Sequence, residues 1–230
     1  MKKIGLLGGM SWESTVPYYK IINEHIKTKM GGLHSAELML YSMDFQKIAN
    51  LQKAGDWEGA GKVLGTAAAT MKHGGAEAIV VCTNTMHKVA EQIEHHSGLP
   101  ILHIADATAK EINNKGIKKV GLLGTCYTME QNFYRGRLAD NFKIETVIPN
   151  EEARQKINKV IFEELCLGTI KEDSRKFFQA VIQDLVDQGA EGVILGCTEI
   201  GMLITHQHTN VPIFDTAIIH ANYAAEFMLS

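Results

Sequence analysis

One stretch of the chain occurs twice and constrains what the whole sequence can fold into. Gly75–Thr85 reads GAEAIVVCTNT, and Gly189–Glu199 reads GAEGVILGCTE. Aligned without a gap on the shared Gly-Ala-Glu, every position lies 114 residues further on (189 − 75). In each copy an apolar run follows a glycine and ends in polar residues, which is typical of a buried parallel strand. This alignment pairs Thr83 with Cys197.

Two further stretches repeat in the same order. Lys3–Gly9 resembles Lys119–Thr125 at an offset of 116 (119 − 3), and Leu99–Leu102 resembles Val211–Phe214 at an offset of 112 (211 − 99). Predicted long helices and short connections between the strands favour parallel sheets. We therefore predict an α/β fold of two similar lobes, each a mostly parallel sheet flanked by helices. The lobes are expected to be related by pseudo-symmetry, with the active site in the cleft between them.

The repeat also predicts the domain organisation. We expect an N-terminal α/β lobe over residues 1–115 and a C-terminal α/β lobe over residues 116–230, with the chain termini free to cross between lobes. Apolar periodicity and capping residues give the elements of the first lobe. They are helices over 15–30 and 56–73, strands over 38–43 and 101–104, a polar segment through Gln52, and a helix capped by Asn84 or Thr85.

The overall composition excludes several classes of function. With 45% hydrophobic and 21% charged residues, the chain is typical of a soluble globular protein. A net charge of −3 gives no electrostatic reason to bind nucleic acid or an anionic membrane. No apolar run approaches the roughly 20 residues of a membrane span. Small molecules are therefore the expected partners.

The cysteine and histidine patterns bear on compartment and cofactors. The four cysteines, at positions 82, 126, 166 and 197, show neither CxxC spacing nor the density of a disulfide scaffold, so we expect reduced thiols in the cytoplasm. His206 and His208 have no cysteine or acidic partners at metal-ligand spacing, so no metal site is predicted. The glycine loops lack nucleotide-binding motifs.

Thr83 and Cys197 each follow a predicted strand, where ligands bind in parallel α/β sheets. Two proton-handling groups on opposite faces of one carbon can invert a stereocentre, because one removes the α-proton and the other returns a proton. A short helix predicted to begin after Cys197 would lower the pKa of its thiol and favour its action as a base. Such chemistry requires no cofactor. The side-chain donors expected to hold the substrate carboxylate are Asn84, Thr85, Thr125, Thr128 and Thr198.

Three motifs carry a resemblance to a known family. Thr83–His87 reads TNTMH and resembles the Cys-Asn-Thr-Ala-His motif of the aspartate/glutamate racemase family. Gly196–Glu199 matches that family's Gly-Cys-Thr-Glu motif, and Gly5–Thr15 resembles the start of amino-acid racemases in this group. The resemblance implies two α/β lobes, a cofactor-free two-cysteine site between them, an amino acid or related carboxylate as substrate, and a homodimer.

The sequence departs from the family pattern at the first catalytic position. Thr83 stands where the family has its first cysteine, and Cys82 lies one residue earlier. Because side chains alternate along a strand, a one-residue slip moves a group to the other face. We favour Thr83 in the site, with Cys82 as the alternative if the register is wrong. A hydroxyl is a poorer acid than a thiol, so Cys197 is the expected base, and the resemblance implies a preference for L-substrate.

The remaining site residues follow from motif position. Met10 is expected to line the pocket, Gln52 lies near the position of a family arginine that holds a side-chain carboxylate, and Lys171 resembles a family lysine that binds a carboxylate. Glu199 completes the second motif. Aspartate or glutamate is the favoured substrate.

Several alternative functions stay open at the level of sequence. One is a broad-specificity amino-acid racemase. Another is a different carbon-acid enzyme of the superfamily, such as a hydantoin racemase, maleate isomerase or decarboxylase. A third is a non-catalytic small-molecule binding protein.

Overall fold

The computed structural model describes all 230 residues, as seven strands and eleven α-helices with three short 3₁₀ segments. The strands are β1 Ile4–Gly8, β2 Leu38–Ser42, β3 Ala78–Val81, β4 Lys119–Gly124, β5 Glu145–Val147, β6 Val193–Gly196 and β7 Ile213–Asp215. The first helices are α1 Trp12–Met30, α2 Phe45–Ala54, α3 Trp57–His73, α4 Ala90–Ser97 and α5 Ile104–Asn114. The others are α6 Cys126–Glu130, α7 Asn132–Phe142, α8 Glu151–Glu163, α9 Glu172–Asp187, α10 Ile200–Leu203 and α11 Thr216–Leu229. The 3₁₀ segments are Thr85–Val89, Leu165–Leu167 and His206–His208.

The chain divides into two compact units. Unit 1 comprises Met1–His103 and His220–Ser230, and unit 2 comprises Ile104–Ile219. The repeat places a boundary between residues 115 and 116, so the structural division differs from it in two segments: α5 lies in unit 2, and His220–Ser230 lies in unit 1. Packing explains both differences, because α5 buries its apolar face in the core of unit 2, and the buried His220 contacts Tyr18 and Leu102 of unit 1.

Each unit is built on one parallel sheet, as the sequence predicts. In unit 1 the strand order is β2-β1-β3, and in unit 2 it is β5-β4-β6-β7. Strands β1, β3 and β6 are apolar throughout and fully buried, as parallel strands covered by helices require. Each sheet carries its own apolar core, with helices packed against it.

The strand pairings reproduce all three offsets of the sequence repeat. One row of partners crosses each sheet, and its members correspond at offsets of 116, 114 and 112. The rows are Gly5–Ile79–Ile101 in unit 1 and Gly121–Val193–Ile213 in unit 2. The equivalence of β3 and β6 at an offset of 114 residues therefore holds in the backbone structure as well as in the amino-acid sequence.

Three local predictions were wrong. The polar segment through Gln52 forms α2, which buries Ile48 and Gln52 on one face. The strand predicted over 101–104 is a single bridge at Ile101, because α5 already begins at Ile104. Asn84 does not cap a helix: its backbone angles are helical, its side chain makes no cap hydrogen bond, and the 3₁₀ segment Thr85–Val89 separates it from α4.

The start of α1 is set by a serine cap. Ser11 accepts a hydrogen bond from the Ser14 amide, and the helix begins at Trp12, three residues before the predicted start.

None of the helices combines the length and the apolar character needed to cross a bilayer.

Candidate active site

The loop after β3 presents Thr83 and encloses Cys82. The Cys82 side chain is completely buried, and its sulfur lies 3.8 Å from the Val80 carbonyl oxygen. Burial raises the pKa of this thiol far above its usual range. Thr83, by contrast, is half-buried. The accessible group at this strand end is a hydroxyl, and the thiol next to it is sealed in the core.

His87 holds the backbone of Thr83. Its Nδ1 lies 2.8 Å from the Thr83 carbonyl oxygen, and because a carbonyl oxygen only accepts, Nδ1 carries the hydrogen. On the other side of the residue, the Thr83 amide donates to the Val81 carbonyl at 2.8 Å. Both ends of Thr83 are therefore tied to neighbouring parts of the loop.

In unit 2 the residue after β6 is Cys197, whose side chain is 7% exposed. Its thiol donates to Glu199 Oε2 at 2.9 Å, and the Thr198 hydroxyl donates to the same oxygen at 2.9 Å. Glu199 itself is 2% exposed. A buried carboxylate is thus bound directly to the thiol proton, which gives that proton an acceptor inside the protein.

The expected lowering of the Cys197 pKa was wrong. Burial raises the pKa of this thiol well above its usual range, and the negative charge of Glu199 raises it further, with a smaller effect from Cys166. The helix that was expected to lower it, α10, begins only at Ile200 and has a single turn of four residues. Cys197 is therefore a thiol in the resting protein, and a strong base once its proton has left.

The two strand ends differ in their chemistry at equivalent positions. The offset of 114 pairs Thr83 with Cys197 and Thr85 with Glu199, so a hydroxyl and a thiol correspond, and so do a hydroxyl and a carboxylate. It also pairs His87 with Gly201, where an added Cβ would clash with the Asp215 carboxylate. The histidine that contacts the Thr83 carbonyl in unit 1 therefore has no counterpart in unit 2.

Thr125 and Thr128 form a helix cap. The Thr125 hydroxyl accepts from the Thr128 amide at 3.3 Å, and the two hydroxyls lie 3.2 Å apart. Both side chains are buried, at 5% and 0% exposed. These two hydrogen bonds fix the start of α6 just beyond β4.

The predicted substrate residues of unit 1 are enclosed. Gln52 is 5% exposed, and its amide nitrogen lies 2.9 Å from the Met86 sulfur. Met10 is 2% exposed, and Met10 and Met86 belong to the same apolar core. Asn84 and Thr85, at 1% and 6% exposed, follow Thr83 directly. These predicted substrate residues of unit 1 are all uncharged.

Lys171 lies at the surface of unit 2. It precedes α9, its side chain is 58% exposed, and its Nζ lies 3.2 Å from Glu164 Oε1. The Ser174 hydroxyl donates to the other oxygen of that carboxylate at 2.7 Å. Partial burial acts to raise the pKa of Glu164, but the bonds from Ser174 and Lys171 hold it below its usual range. Lys171 is an accessible ammonium group already paired with one carboxylate.

The chain contains no group of three or more His, Cys, Asp and Glu side chains arranged to hold a metal ion.

A sequence profile of the Asp/Glu/hydantoin racemase family matches residues 7–224. The chain belongs to this family. Its membership assigns it to the isomerases that act as racemases.

Relatives of this racemase match along nearly its whole length. The broad specificity amino-acid racemase RacX of Bacillus subtilis is 27% identical over 221 residues, which cover 93% of this chain and 92% of RacX. Among solved structures, a candidate Asp/Glu racemase from Yersinia pestis is 57% identical with a TM-score of 0.93. An aspartate racemase homologue from Pyrococcus horikoshii OT3 is 38% identical with a TM-score of 0.85. Both structures and this chain cover each other completely.

Sequence reasoning missed two contacts in this racemase. Glu199 was expected among the substrate-binding residues, whereas its carboxylate contacts the Cys197 thiol. His87 was not among the predicted site residues. A signal for it was present, because a side chain four residues after Thr83 in a helical turn can reach back to the Thr83 carbonyl.

Proposed function

We propose that this racemase inverts the α-carbon of an amino acid, aspartate or glutamate, and acts preferentially on the L-enantiomer. The observation that carries the proposal is the hydrogen bond from the Cys197 thiol to the buried Glu199 carboxylate at a strand end. A thiol with an internal proton acceptor is suited to general base catalysis. Thr83, at the equivalent strand end of unit 1, is the proposed second proton-handling group.

The proposed reaction consists of five proton transfers. The Cys197 proton passes to Glu199 Oε2, and the thiolate then takes the α-proton of the L-amino acid and becomes a thiol again. The Thr83 hydroxyl gives its proton to the opposite face of the carbanion and regains one from water. The hydroxide that remains is neutralised by the proton on Glu199. This cycle returns every group to its starting state and gives the D-enantiomer.

The high pKa of Cys197 fits the proposed direction of the reaction. An α-proton of an amino acid is very weakly acidic, so its removal needs a strong base, and the thiolate of a thiol with a raised pKa is such a base. An aliphatic hydroxyl is seldom ionised and abstracts protons poorly. Removal of the α-proton by Thr83 from a D-substrate should therefore be slow.

The choice of substrate rests on fewer groups. We assign Lys171 to a substrate carboxylate, as an accessible point charge. Gln52 provides an amide where an arginine would favour an acidic side chain. That neutral group supports a second candidate function, a broad-specificity amino-acid racemase, in keeping with the similarity to RacX.

We further propose that the enzyme works without pyridoxal phosphate, in the cytoplasm, and as a homodimer. An apolar stripe on α1 supports self-association, because its members recur at helical spacing and are more than half exposed. They are Trp12, Val16 and Tyr19, at 64%, 56% and 55% exposed. Light scattering on the eluting protein should give twice the monomer mass, and a mass of 25.4 kDa at micromolar concentration would contradict the dimer.

The function is tested by α-proton exchange in heavy water. Proton NMR should show loss of the α-proton signal of L-aspartate or L-glutamate at least about tenfold faster than that of the D-enantiomers. Equal rates for both would contradict the L-preference. Exchange with neutral amino acids would favour broad specificity, and activity only on hydantoins, maleate or malonates would favour the other carbon-acid enzymes. Saturable binding without any exchange would favour a binding protein.

A further inference from the structure

A row of buried aromatic rings lies behind the Thr83 loop in unit 1. The His87 ring packs against the His103 ring at a tilt of 60°, with centroids 4.5 Å apart, and meets the His220 ring edge-on at 5.7 Å. All three imidazoles are buried, at 3%, 8% and 0% exposed. The imidazole that holds the Thr83 carbonyl therefore has little freedom to turn.

The far end of the row is fixed by two hydrogen bonds. His220 Nε2 lies 2.6 Å from the Leu102 carbonyl oxygen and carries the hydrogen, so its Nδ1 accepts from the Tyr18 hydroxyl at 3.0 Å. Burial lowers the pKa of His220 to about 4, so the ring is neutral near pH 7. A neutral ring with both nitrogens engaged forms a rigid support for its neighbour.

The same histidine-to-carbonyl contact occurs at the surface. His73 Nδ1 lies 2.7 Å from the Ala69 carbonyl oxygen, four residues earlier, and His96 contacts Gln92 in the same way at 2.9 Å. Both of these histidines are exposed. The local geometry is thus common to all three, and burial among other rings distinguishes His87.

We propose that His87 is a positioning residue: clamped by His103 and His220, it holds the Thr83 carbonyl and thereby sets where the Thr83 hydroxyl delivers its proton. This role rests on the proposed function. A carbanion made by Cys197 has two fates, inversion by Thr83 or return of a deuteron by Cys197 with retention. If Thr83 is displaced, the enzyme forms less inverted product but still forms the retained product. The ratio of inverted to retained product therefore reports on the position of Thr83.

The experiment measures both products from L-aspartate in heavy water, inverted D-aspartate and deuterated L-aspartate. His87→Leu should lower the ratio of inverted to retained product by at least about tenfold, since misplacement of about 1 Å can cost up to about 100-fold. The KM should stay within about threefold. His87→Asn should restore most of the ratio, because the Asn amide nitrogen can donate from nearly the position of Nδ1. His73→Leu, which removes the matched surface contact, should leave the ratio unchanged.

An unchanged ratio in His87→Leu, an Asn variant as impaired as the Leu variant, or an equal loss in His73→Leu would each overturn the positioning role. If the Leu variant does not fold, His87→Gln replaces it, because its amide is one methylene further out and should give the same loss. Absence of exchange in the unaltered enzyme would instead refute the proposed function, and the positioning role with it.

Discussion

At the scale of single residues, the two strand ends separate into a thiol with a carboxylate and a hydroxyl with an imidazole. Glu199 binds the Cys197 proton directly, whereas His87 binds the Thr83 backbone and leaves the hydroxyl to act by itself. The first arrangement favours proton removal, and the second favours placement of a weak donor. The asymmetry of the proposed reaction follows from these neighbours as much as from the two residues themselves.

Glu199→Gln should abolish the internal proton acceptor while keeping an oxygen that can accept the hydrogen bond. We expect the exchange rate of L-aspartate to fall by about 100-fold, the lower range for loss of a general base. Thr198→Val, which removes only the second bond to the same carboxylate, should cost much less. A Glu199→Gln enzyme with normal exchange in heavy water would show that the Cys197 proton leaves by another route.

Thr83→Cys should supply a second thiol at the hydroxyl position. Exchange of D-aspartate should rise by at least about tenfold, because a thiol ionises far more readily than an aliphatic hydroxyl. Cys82→Ala is the control for the register, since Cys82 is sealed in the core and should not affect the ratio of L- to D-exchange. If Cys82→Ala instead abolishes exchange while the protein stays folded, Cys82 and not Thr83 is the group in the site.

At the scale of elements, small residues let α3 and α4 approach closely. An added Cβ at Gly65 of α3 would lie 2.6 Å from the His96 Cβ of α4, far inside van der Waals contact. The segment before α4 is Thr85–Val89, which carries His87. The packing of these two helices therefore bears on where the Thr83 loop lies.

Gly65→Ala should destabilise the protein although alanine is the better helix former. Helix propensity favours the change by about 1 kcal/mol. Overpacking costs about 1–3 kcal/mol and dominates here, because the His96 Cβ is fixed to its own backbone. Thr66→Ala, on the exposed face one residue later, should stay within about 0.5 kcal/mol of the parent. Urea denaturation measures both, and a stabilised Gly65→Ala protein would mean that α4 shifts freely.

At the scale of the whole molecule, unit 1 is closed by residues from both ends of the chain. The Lys2 amide donates to the Met228 carbonyl at 2.8 Å, and Tyr18 binds His220, 202 residues away. The buried His220 therefore ties the last segment of the chain to α1. The protonation state of His220 should therefore affect the stability of the folded protein.

The stability of the protein should fall as the pH drops from about 6.5 towards 4. The pKa of His220 is lowered from 6.5 to about 4 in the folded protein, so in this window the unfolded chain takes up a proton that the folded chain does not. This difference of about 2.5 units corresponds to a loss of up to about 3 kcal/mol. Urea denaturation at pH 7, 5.5 and 4 should show a smaller loss for His220→Gln than for the parent. Parallel curves for the two proteins would contradict a buried neutral His220.

Much of the fold could be predicted because its signals are local. Buried strands show as short apolar runs, and α1 and α3 show as apolar periodicity with capping residues. The segment that forms α2 was misread because its polar composition hides a buried face, and the strand at Ile101 was overextended because nothing in the local sequence marks where α5 begins. The pair Thr83 and Cys197 was predicted from the repeat, since strand register carries one residue onto the other.

The sequence by itself determined the two parallel sheets, the three offsets and the residues that end β3 and β6, because each depends on a pattern within a few residues. Only the tertiary structure decided how those residues behave. The pKa of Cys197 depends on how completely the surrounding chain excludes water, so burial beside Glu199 overturned the lowering expected from a nearby helix. The His220 ring beside His87 is itself held by Leu102 and Tyr18, which lie 118 and 202 residues before it in the chain. Such contacts leave no local pattern, since they arise only when distant segments pack together.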